Sequence, residues 1–277
     1  MAHLVTDHQS GDPFDDLAAE YDRRFTHTEL GRRYRGAVWR WLDRAFHRGD
    51  RVLELNCGTG EDAVHLARKG VLVHATDRSQ AMLDETRRKV SEAGVGGLVT
   101  LERVSLTADA TPRVPTLDRY MPEAVFDGAV SSFGGLNLVA DVGPVATGLA
   151  RILRPGARVV LSVMGPLVPW EWGWYLARLR PRDAFRRVRS GGAPWRGRRV
   201  FYPSVAALRR AFGSKFECRG VGAIGVFLPP PYASAWAARH PALVARLDAV
   251  ERRCERWWPL SRLADHYIME FERSGSD

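Results

Sequence analysis

One short stretch constrains the fold of this chain more than any other. Residues 51–60 form an apolar run with a carboxylate, Glu54, near its end, followed by a glycine turn. A second apolar run follows after one short helical stretch and ends at Asp77. A buried strand, a glycine turn that opens a helix and an acid at the end of the next strand are typical of a site for a nucleoside-containing cofactor.

Strand-like and helix-like segments alternate along most of the chain. The strand-like runs lie at residues 51–55, 71–76, 98–104, 125–131, 158–163, 216–221 and 265–272. Because right-handed helical crossovers place such strands side by side, the pattern predicts an α/β fold. We expect a Rossmann-like seven-stranded, mainly parallel sheet with helices on both faces, an N-terminal helical lid and inserted segments after strands five and six.

The length of 277 residues fits one large α/β domain better than two small ones. A long helix is predicted over residues 233–256, within the second insertion. Inserted segments of such folds lie above the carboxyl edge of the sheet, where ligands bind. We divide the single domain 1–277 into a helical cap (12–47), a cofactor-binding core (48–164), a substrate-side insertion (165–202) and a C-terminal part of the sheet with its helical insertion (203–277).

Positive charge is concentrated in the first insertion. The chain has a formal net charge of +9, and nine arginines lie between Arg178 and Arg199 with Asp183 as the single acid. A solvated face in an arginine-rich protein would explain this cluster. An anionic partner would explain it equally well, and the candidates are a phosphate- or carboxylate-bearing substrate, an acidic membrane surface and nucleic acid.

The cysteines and the apolar runs indicate where the protein works. Cys57, Cys218 and Cys254 are far apart and lack metal-binding spacing, so we expect reduced thiols and no metal site. No apolar run is long enough to cross a bilayer, and residues 1–15 lack the pattern of a signal peptide. These features predict a cytoplasmic protein without a transmembrane segment.

The glycines of the turn do not distinguish between cofactors. Gly58, Gly60 and Ala63 also match the dinucleotide fingerprint, with Asp77 at about the right distance for a ribose-binding acid. Glu54 does distinguish them, because a buried carboxylate beside the turn would repel a pyrophosphate. The same carboxylate suits a ligand with a cation, such as the ammonium group of S-adenosylmethionine.

Four motifs in order resemble those of the class I S-adenosylmethionine-dependent methyltransferases. Residues 52–61 resemble the first motif of this family and residues 77–83 the second, while residues 126–130 and 153–157 match the fourth strand and the approach to the fifth. The resemblance covers about residues 14–164. It implies S-adenosylmethionine as cofactor and S-adenosylhomocysteine as product.

The resemblance also implies a set of cofactor-binding residues. Glu54 would orient the methionine ammonium, Asp77 would accept both ribose hydroxyls and Met82 would pack on the adenine. Asn56 stands where the family usually has glycine, a change that asparagine tolerates in left-handed backbone. The full set is Tyr21 from the N-terminal lid, Glu54, Asn56, Gly58, Gly60, Asp77, Arg78, Met82 and Ser131, with the backbone of Ser132 beside it.

No motif fixes a general base or an adenine-amine ligand. His266 in the last predicted strand is a candidate base, although a hydrogen-bonded structural histidine is the alternative. His240 and Glu171 are further candidate bases, for which the alternatives are a helix-surface histidine and a solvated acid. Ser105 and Asp109 are both open as partners of the adenine amine.

The first insertion supplies the substrate-side candidates. Trp170, Trp172 and Tyr175 belong to its aromatic cluster and would form the wall of an acceptor pocket. Asn137, after the fourth strand, would contact substrate or cap the following helix. Aromatic residues beside basic ones also suit an interfacial helix, so peripheral membrane contact through residues 165–202 is a second interpretation.

The resulting hypothesis is methyl transfer to a small-molecule acceptor with an apolar or aromatic body and an anionic group. RNA methylation is the first alternative, although no added RNA-binding module or catalytic cysteine pair supports it. A nicotinamide-dependent oxidoreductase is the second alternative and conflicts with Glu54. A non-catalytic binding protein with this fold is a further possibility.

Overall fold

The central sheet follows the predicted alternation of strands and helices. The computed structural model describes residues 14–106, 126–189 and 191–275. Its strands are β1 (Arg51–Leu55), β2 (Leu72–Asp77), β3 (Val99–Arg103), β4 (Phe126–Ser131), β5 (Leu153–Met164), β6 (Ala193–Trp195), β7 (Arg198–Val200), β8 (Phe216–Ile224) and β9 (His266–Arg273). Seven of them form one sheet in the order β3-β2-β1-β4-β5-β9-β8, in which β9 alone is antiparallel to its neighbours.

Helices connect the strands in the described part of the chain. They are α1 (Ala18–Tyr21), α2 (Glu29–Ala45), α3 (Glu61–Arg68), α4 (Gln80–Glu92), α5 (Gly143–Ile152), α6 (Pro169–Leu176), α7 (Pro181–Ala184), α8 (Val205–Phe212), α9 (Ser234–Arg239) and α10 (Pro241–Cys254). Hydroxyl side chains cap several of them. Thr28, Ser79 and Ser204 accept hydrogen bonds from backbone N–H groups in the first turns of α2, α4 and α8, respectively.

Both faces of the sheet are buried. Alternate residues of β1 enter different apolar clusters, because side chains of a strand point to opposite faces in turn. Val52 packs in a cluster with α2, α3 and α10, and Leu53 packs in a cluster with α5 and α8. The predicted arrangement, a mainly parallel sheet with helices on both faces, is therefore confirmed.

The N-terminal lid differs in detail from the single amphipathic helix that its spacing predicts. A 3-10 turn at Asp15–Leu17 leads into α1, and a π-helical turn at Asp22–Thr26 leads out of it. Residues 12 and 13 of the predicted helical cap lie outside the described residues, and so does Asp109.

The predicted long helix over 233–256 is wrong. The chain forms α9, breaks at His240 and restarts as α10 with Pro241 in its first turn. Proline lacks a backbone N–H and its ring collides with the preceding helical turn, so it begins a helix instead of continuing one. The Glu251 carboxylate on α10 then accepts four backbone N–H bonds from residues 225–228, after β8.

The first insertion contains a hairpin that the sequence analysis did not predict. Strands β6 and β7 pair antiparallel through a two-residue turn at Arg196 and Gly197. Both turn residues have positive φ, 43° and 76°, as tight two-residue hairpins require. The hairpin projects from the main sheet as a separate two-stranded unit.

The strand order places a ligand site at the carboxyl ends of the central strands. Strand β1 lies between β2 and β4, so the chain leaves it in one direction and later returns on its other side. Such a switch point opens a crevice at the carboxyl ends of the strands. Among the described residues, none of the helices is long and apolar enough to span a bilayer.

Candidate functional site

A cavity of about 560 Å³ lies at the carboxyl ends of β1, β2 and β4. This volume is within the range of small-molecule sites. Seven of the nine predicted cofactor residues line it: Tyr21, Glu54, Asn56, Gly58, Asp77, Arg78 and Met82. The carboxyl ends of neighbouring parallel strands bring these residues together from separate parts of the sequence.

Asp77 connects the glycine turn to the helix that follows β2. Its two carboxylate oxygens each accept a backbone N–H bond of 2.9 Å, one from Gly58 and one from Ser79. Asn56, beside the same turn, has φ of 57°, the left-handed conformation that the substitution of asparagine for glycine predicts. The turn is therefore fixed by backbone conformation and by a carboxylate.

Glu54 is the least satisfied acid of the cavity. The side chain lies in the cavity wall, the residue is 3% exposed, and its Oε2 has no hydrogen-bond partner among the described residues. Burial, reinforced by the nearby Asp62, raises the pKa of Glu54 well above its usual value. A buried carboxylate in this state favours a cationic ligand.

Asp62, a second buried acid of the cavity, is neutralised by the protein. Its Oδ1 accepts hydrogen bonds of 2.8 Å from the guanidinium of Arg35 and from the indole of Trp39. Arg35 also lies over the ring of Phe133, 4.8 Å from its centroid. Asp62 is therefore occupied by protein partners, whereas the carboxylate of Glu54 is available to a ligand.

The two glycines of the turn serve different purposes. A Cβ on Gly58 would meet no protein atom within 4 Å, so the glycine borders open cavity space. A Cβ on Gly60 would lie 2.4 Å from the Thr86 side chain. Gly60 is therefore required for packing against α4, and it is not among the residues that line the cavity.

Ser131 also lies outside the cavity. It is the last residue of β4 and is 1% exposed, and the cavity wall begins one residue later, at Ser132. The reason is strand geometry, because successive side chains alternate across the sheet. Ser132 thus occupies the position that was predicted for Ser131.

Two segments that are distant in sequence meet above the cavity. The ring of Phe14 in the N-terminal lid contacts Trp195 at the end of β6, with 5.0 Å between centroids. Tyr202, after β7, and Tyr21 in the lid also line the cavity. The lid and the hairpin together form its aromatic wall.

The predicted substrate residues Trp170, Trp172 and Tyr175 do not line the cavity. Trp170 donates a hydrogen bond of 3.1 Å to the carbonyl of Phe227, and Trp172 packs on Phe185. Tyr175 accepts a hydrogen bond of 3.0 Å from Arg186. The first turns of α6 therefore pack against the protein, and the hairpin supplies the aromatic wall instead.

Asn137 is a structural residue in this arrangement. It is fully buried, and its amide nitrogen donates hydrogen bonds to the carbonyls of Met164 (3.1 Å) and Phe201 (2.6 Å). Its Oδ1 accepts a hydrogen bond of 2.9 Å from the Met164 N–H. It joins the end of β5 to the segment after β7 and is not among the cavity-lining residues.

The interpretation of Glu171 as a solvated acid is wrong. Glu171 is 1% exposed and forms ion pairs with Arg186 and Arg187. Arg187 also pairs with Asp265 at 2.6 Å, and the ion pair with Arg187 holds the Asp265 pKa well below its usual value although burial opposes it. Part of the arginine cluster is thus buried, and we name Glu171, Arg186, Arg187 and Asp265 the buried charge cluster.

His266 lies next to this cluster and not in the cavity wall. Its Nδ1 is 3.1 Å from Asp265 Oδ2, and its ring contacts the rings of Tyr34 and Phe133. Phe133 lines the cavity, and His266 does not. His266 is thus a buried histidine with a hydrogen-bonding contact to Asp265, as in the structural alternative to a general base. His240 is exposed.

Several cavity residues were not predicted as site residues. They include Arg186 and Asp183 from the insertion, and Leu138, Met164 and Val200 from loops and strand ends. Trp195 and Tyr202 belong to the aromatic group of the insertion, which was the available signal. Only the hairpin turn at residues 196 and 197 distinguishes them from the tryptophans of α6.

Comparison with known sequences agrees with this geometry. A family model described as a methyltransferase domain matches residues 52–156. A demethylmenaquinone methyltransferase of Beutenbergia cavernae is 36% identical over 61% of this chain and 65% of its own length. One of Mycobacterium marinum is 34% identical over 62% of this chain and 68% of its own length. The matched part of the chain thus spans about two thirds of these relatives.

Comparison with solved structures shows the same fold. An S-adenosylmethionine-dependent methyltransferase from Mesorhizobium loti superposes with a TM-score of 0.54 at 21% identity, over 87% of this chain and all of that one (100%). The family match, the relatives and the cavity at the switch point agree with one another. The chain therefore belongs to the class I S-adenosylmethionine-dependent methyltransferases.

Proposed function

We propose that this protein transfers the methyl group of S-adenosylmethionine to a small flat acceptor with an ionisable hydroxyl, of the quinol class. The observation that carries the proposal is the polarity of the cavity. The cavity is lined by Glu54, whose Oε2 lacks a hydrogen-bond partner among the described residues, and by the rings of Trp195 and Tyr202. The carboxylate suits a cationic cofactor, and the rings suit an aromatic acceptor.

The residues of the β1 side fit the cofactor. Glu54 would accept the methionine ammonium, and Asp77 would accept the ribose hydroxyls in addition to its backbone N–H bonds. Met82, which is 3% exposed, would contact the adenine. Asn56, Gly58, Arg78 and Tyr21 would complete the binding surface, with Ser132 in place of Ser131 at the methionine end.

The relatives suggest the class of acceptor. The two relatives described above are named for demethylmenaquinone, and a further relative from Synechococcus elongatus, 32% identical over 56% of this chain and 64% of its own length, is named for 2-phytyl-1,4-naphtoquinone. Arg186 lines the cavity beside these aromatic walls. It would stabilise the ionised hydroxyl that makes a quinol ring electron-rich.

The mechanism then rests on alignment. Methyl transfer from a sulfonium is an in-line displacement, so the enzyme must hold the acceptor atom behind the methyl carbon and exclude water. S-adenosylmethionine supplies the methyl group when it is bound. Phe14 and Trp195 contact each other and line the cavity. Arg186, which lines the cavity and is paired with Glu171, would stabilise the acceptor anion after its hydroxyl proton has left to solvent, and S-adenosylhomocysteine would be the leaving group.

The remaining predictions belong to this proposal. Residues 1–277 would act as one domain, in the cytoplasm, without binding nucleic acid. Peripheral contact with a membrane through the segment 165–202 would bring the enzyme to an apolar acceptor.

The direct test supplies purified protein with S-adenosylmethionine and a reduced demethylnaphthoquinone and measures methyl gain by mass spectrometry. Methylated product in this assay would support the proposal. Methylation of bulk RNA instead, or protection against heat by NADH and not by S-adenosylhomocysteine, would overturn it in favour of the alternatives.

The two groups of tryptophans provide a matched comparison in that assay. Trp195→Leu removes a ring from the cavity wall and should raise the acceptor KM by about three- to tenfold, the value of one aromatic contact. Trp170→Phe changes a ring outside the cavity and should leave this KM unchanged. Equal effects of the two variants would contradict the placement of the acceptor against the hairpin.

A further inference from the structure

The turn between α6 and α7 exposes apolar and basic residues together. Residues 176–182 are all exposed, and they read Leu-Ala-Arg-Leu-Arg-Pro-Arg. Leu179 is 91% exposed and Leu176 is 45% exposed. Leu179 has φ of 56°, so the turn projects its side chain in a strained, left-handed conformation.

The exposed surface continues along the chain after this turn. Phe185 is 43% exposed and Val188 is 48% exposed, and Arg189 beside them is exposed as well. We name residues 176–182, 185, 188 and 189 the tip surface. Isolated exposed apolar residues are common on proteins, but a group of them within one short segment marks an interaction site.

The charge of the tip surface is positive. Asp183 forms an ion pair with Arg180 at 2.7 Å, and Arg178 lies over the ring of Trp174, 3.6 Å from its centroid. Arg182 and Arg189 are exposed beside them. In contrast, Arg186 and Arg187 turn inward to the buried charge cluster, so the segment separates its arginines into structural and outward-facing groups.

Basic residues interleaved with exposed leucines suit one kind of partner. An anionic lipid surface attracts arginines through its headgroups and accepts apolar side chains at the boundary with the acyl chains. A nucleic acid would use the arginines and leave Leu176, Leu179 and Val188 in water. The composition therefore favours a membrane over RNA.

The tip surface is continuous with the cavity. Asp183 and Arg186 both line the cavity, and Phe185 lies between them in sequence and is exposed. A molecule that leaves a bilayer at this surface would therefore be next to residues of the cavity wall. The feature thus links the site of docking to the site of chemistry.

We propose that the tip surface docks on bilayers with anionic headgroups, with Leu179 inserted below them, and that this docking loads an amphiphilic acceptor into the cavity. The loading step rests on the proposed function. The docking step does not, because it depends only on the exposed residues of the segment.

The experiment measures sedimentation of the full chain with phosphatidylcholine vesicles that contain phosphatidylglycerol, and with phosphatidylcholine vesicles alone. We expect binding to the anionic vesicles that weakens with salt. Arg178→Gln with Arg182→Gln should weaken it about fivefold per arginine, and Leu179→Asp should weaken it at least about tenfold. Leu179 is so exposed that its replacement leaves the core untouched.

Matched controls lie on other helices. Arg209→Gln with Arg210→Gln removes two exposed arginines of α8, and Leu243→Asp changes an exposed leucine of α10. Neither control should change vesicle binding. Equal loss in the controls, no binding by the unchanged protein, or loss of RNA binding instead of vesicle binding in the tip variants would overturn the proposal.

Turnover separates docking from the proposed function. The tip variants should methylate a water-soluble quinol without an apolar tail at the normal rate and lose rate only on a tailed quinol embedded in anionic vesicles. Normal vesicle binding without any methylation would reject the proposed function and leave docking intact. Normal rates on both acceptors, despite lost binding, would reject the loading step.

Discussion

The carboxyl end of β1 and the contact between the insertion and β9 treat buried carboxylates in opposite ways. At the end of β1, Glu54 is buried with an oxygen that has no hydrogen-bond partner among the described residues. Glu171 in the insertion and Asp265 just before β9 are buried just as deeply, but Arg187 forms ion pairs with both of them. The first arrangement leaves a charge for a ligand, and the second uses charges to attach the insertion to the sheet.

This difference shows how burial alone fails to identify a site. Glu54, Glu171 and Asp265 are all at most 3% exposed. What distinguishes the two structural acids from the ligand-binding candidate Glu54 is the ion pair that each of them forms with Arg187. Removing one partner of a buried ion pair strongly destabilises the protein, whereas a lone buried carboxylate itself lowers the stability of the fold. Removing the charged group should therefore lower the free energy of unfolding at the buried charge cluster and raise it at Glu54.

The largest expected effect is on the insertion side. Arg187→Gln leaves Glu171 and Asp265 buried without this cation, so we expect the free energy of unfolding to fall by about 3–5 kcal/mol. Urea denaturation measures it. The exposed Arg189→Gln is the control and should change stability by less than about 0.5 kcal/mol. Equal midpoints for the two variants would remove the structural role of the buried charge cluster.

At the carboxyl end of β1, the expected effect is on the binding of S-adenosylmethionine. Glu54→Gln keeps the shape of the side chain and removes its charge, so the dissociation constant of S-adenosylmethionine should rise at least about tenfold, or about 1.4 kcal/mol. Isothermal titration calorimetry measures it, with the exposed Glu92→Gln as control. Unchanged affinity in Glu54→Gln would place the methionine ammonium elsewhere.

The pH dependence of stability should separate the two regions further. Burial raises the pKa of Glu54 above the usual 4.5, so the unfolded chain loses this proton first and the contribution of Glu54 to stability falls as pH rises above about 4.5. Asp265 has a lowered pKa, so its contribution is present at neutral pH and is lost on acidification.

The measurement compares urea midpoints of the ligand-free protein and of Glu54→Gln between about pH 4 and pH 7. The variant should gain stability relative to the unchanged protein as pH rises, by about 1.4 kcal/mol for each unit by which the pKa is raised. A difference that stays constant across this range would show that Glu54 is not strained by burial.

The part of the site at the carboxyl end of β1 could be predicted because its sequence signals are local. The apolar run of β1, the glycine turn and Asp77 are each encoded within a few residues, and parallel strands bring them to one edge. Left-handed backbone at Asn56 follows from its residue type in the same way. Gly60 and Ser131 do not line the cavity, and local spacing does not say which neighbouring helix or sheet face a residue will meet.

The insertion could not be predicted to the same extent. Glu171 lies between two tryptophans, and nothing near it in the sequence indicates ion pairs with Arg187 or proximity to Asp265. The arginine cluster reads as uniform, although tertiary packing buries some members and exposes others. Pro241 signals the break between α9 and α10, but the helical pattern on both sides of it outweighs that signal. The hairpin turn at Arg196 and Gly197 lies in an arginine-rich segment that has no strand pattern to mark it.

Asn137 has a consequence for how such an enzyme could be rebuilt. Its side-chain amide binds the end of β5 and the carbonyl of Phe201, so the boundaries of the insertion are held by one residue outside it. A foreign loop and hairpin grafted between Met164 and Phe201 would be held by Asn137 at the same distance from the cofactor site as the natural insertion. The insertion is thus exchangeable only if its replacement also supplies a cation for Asp265, as Arg187 does.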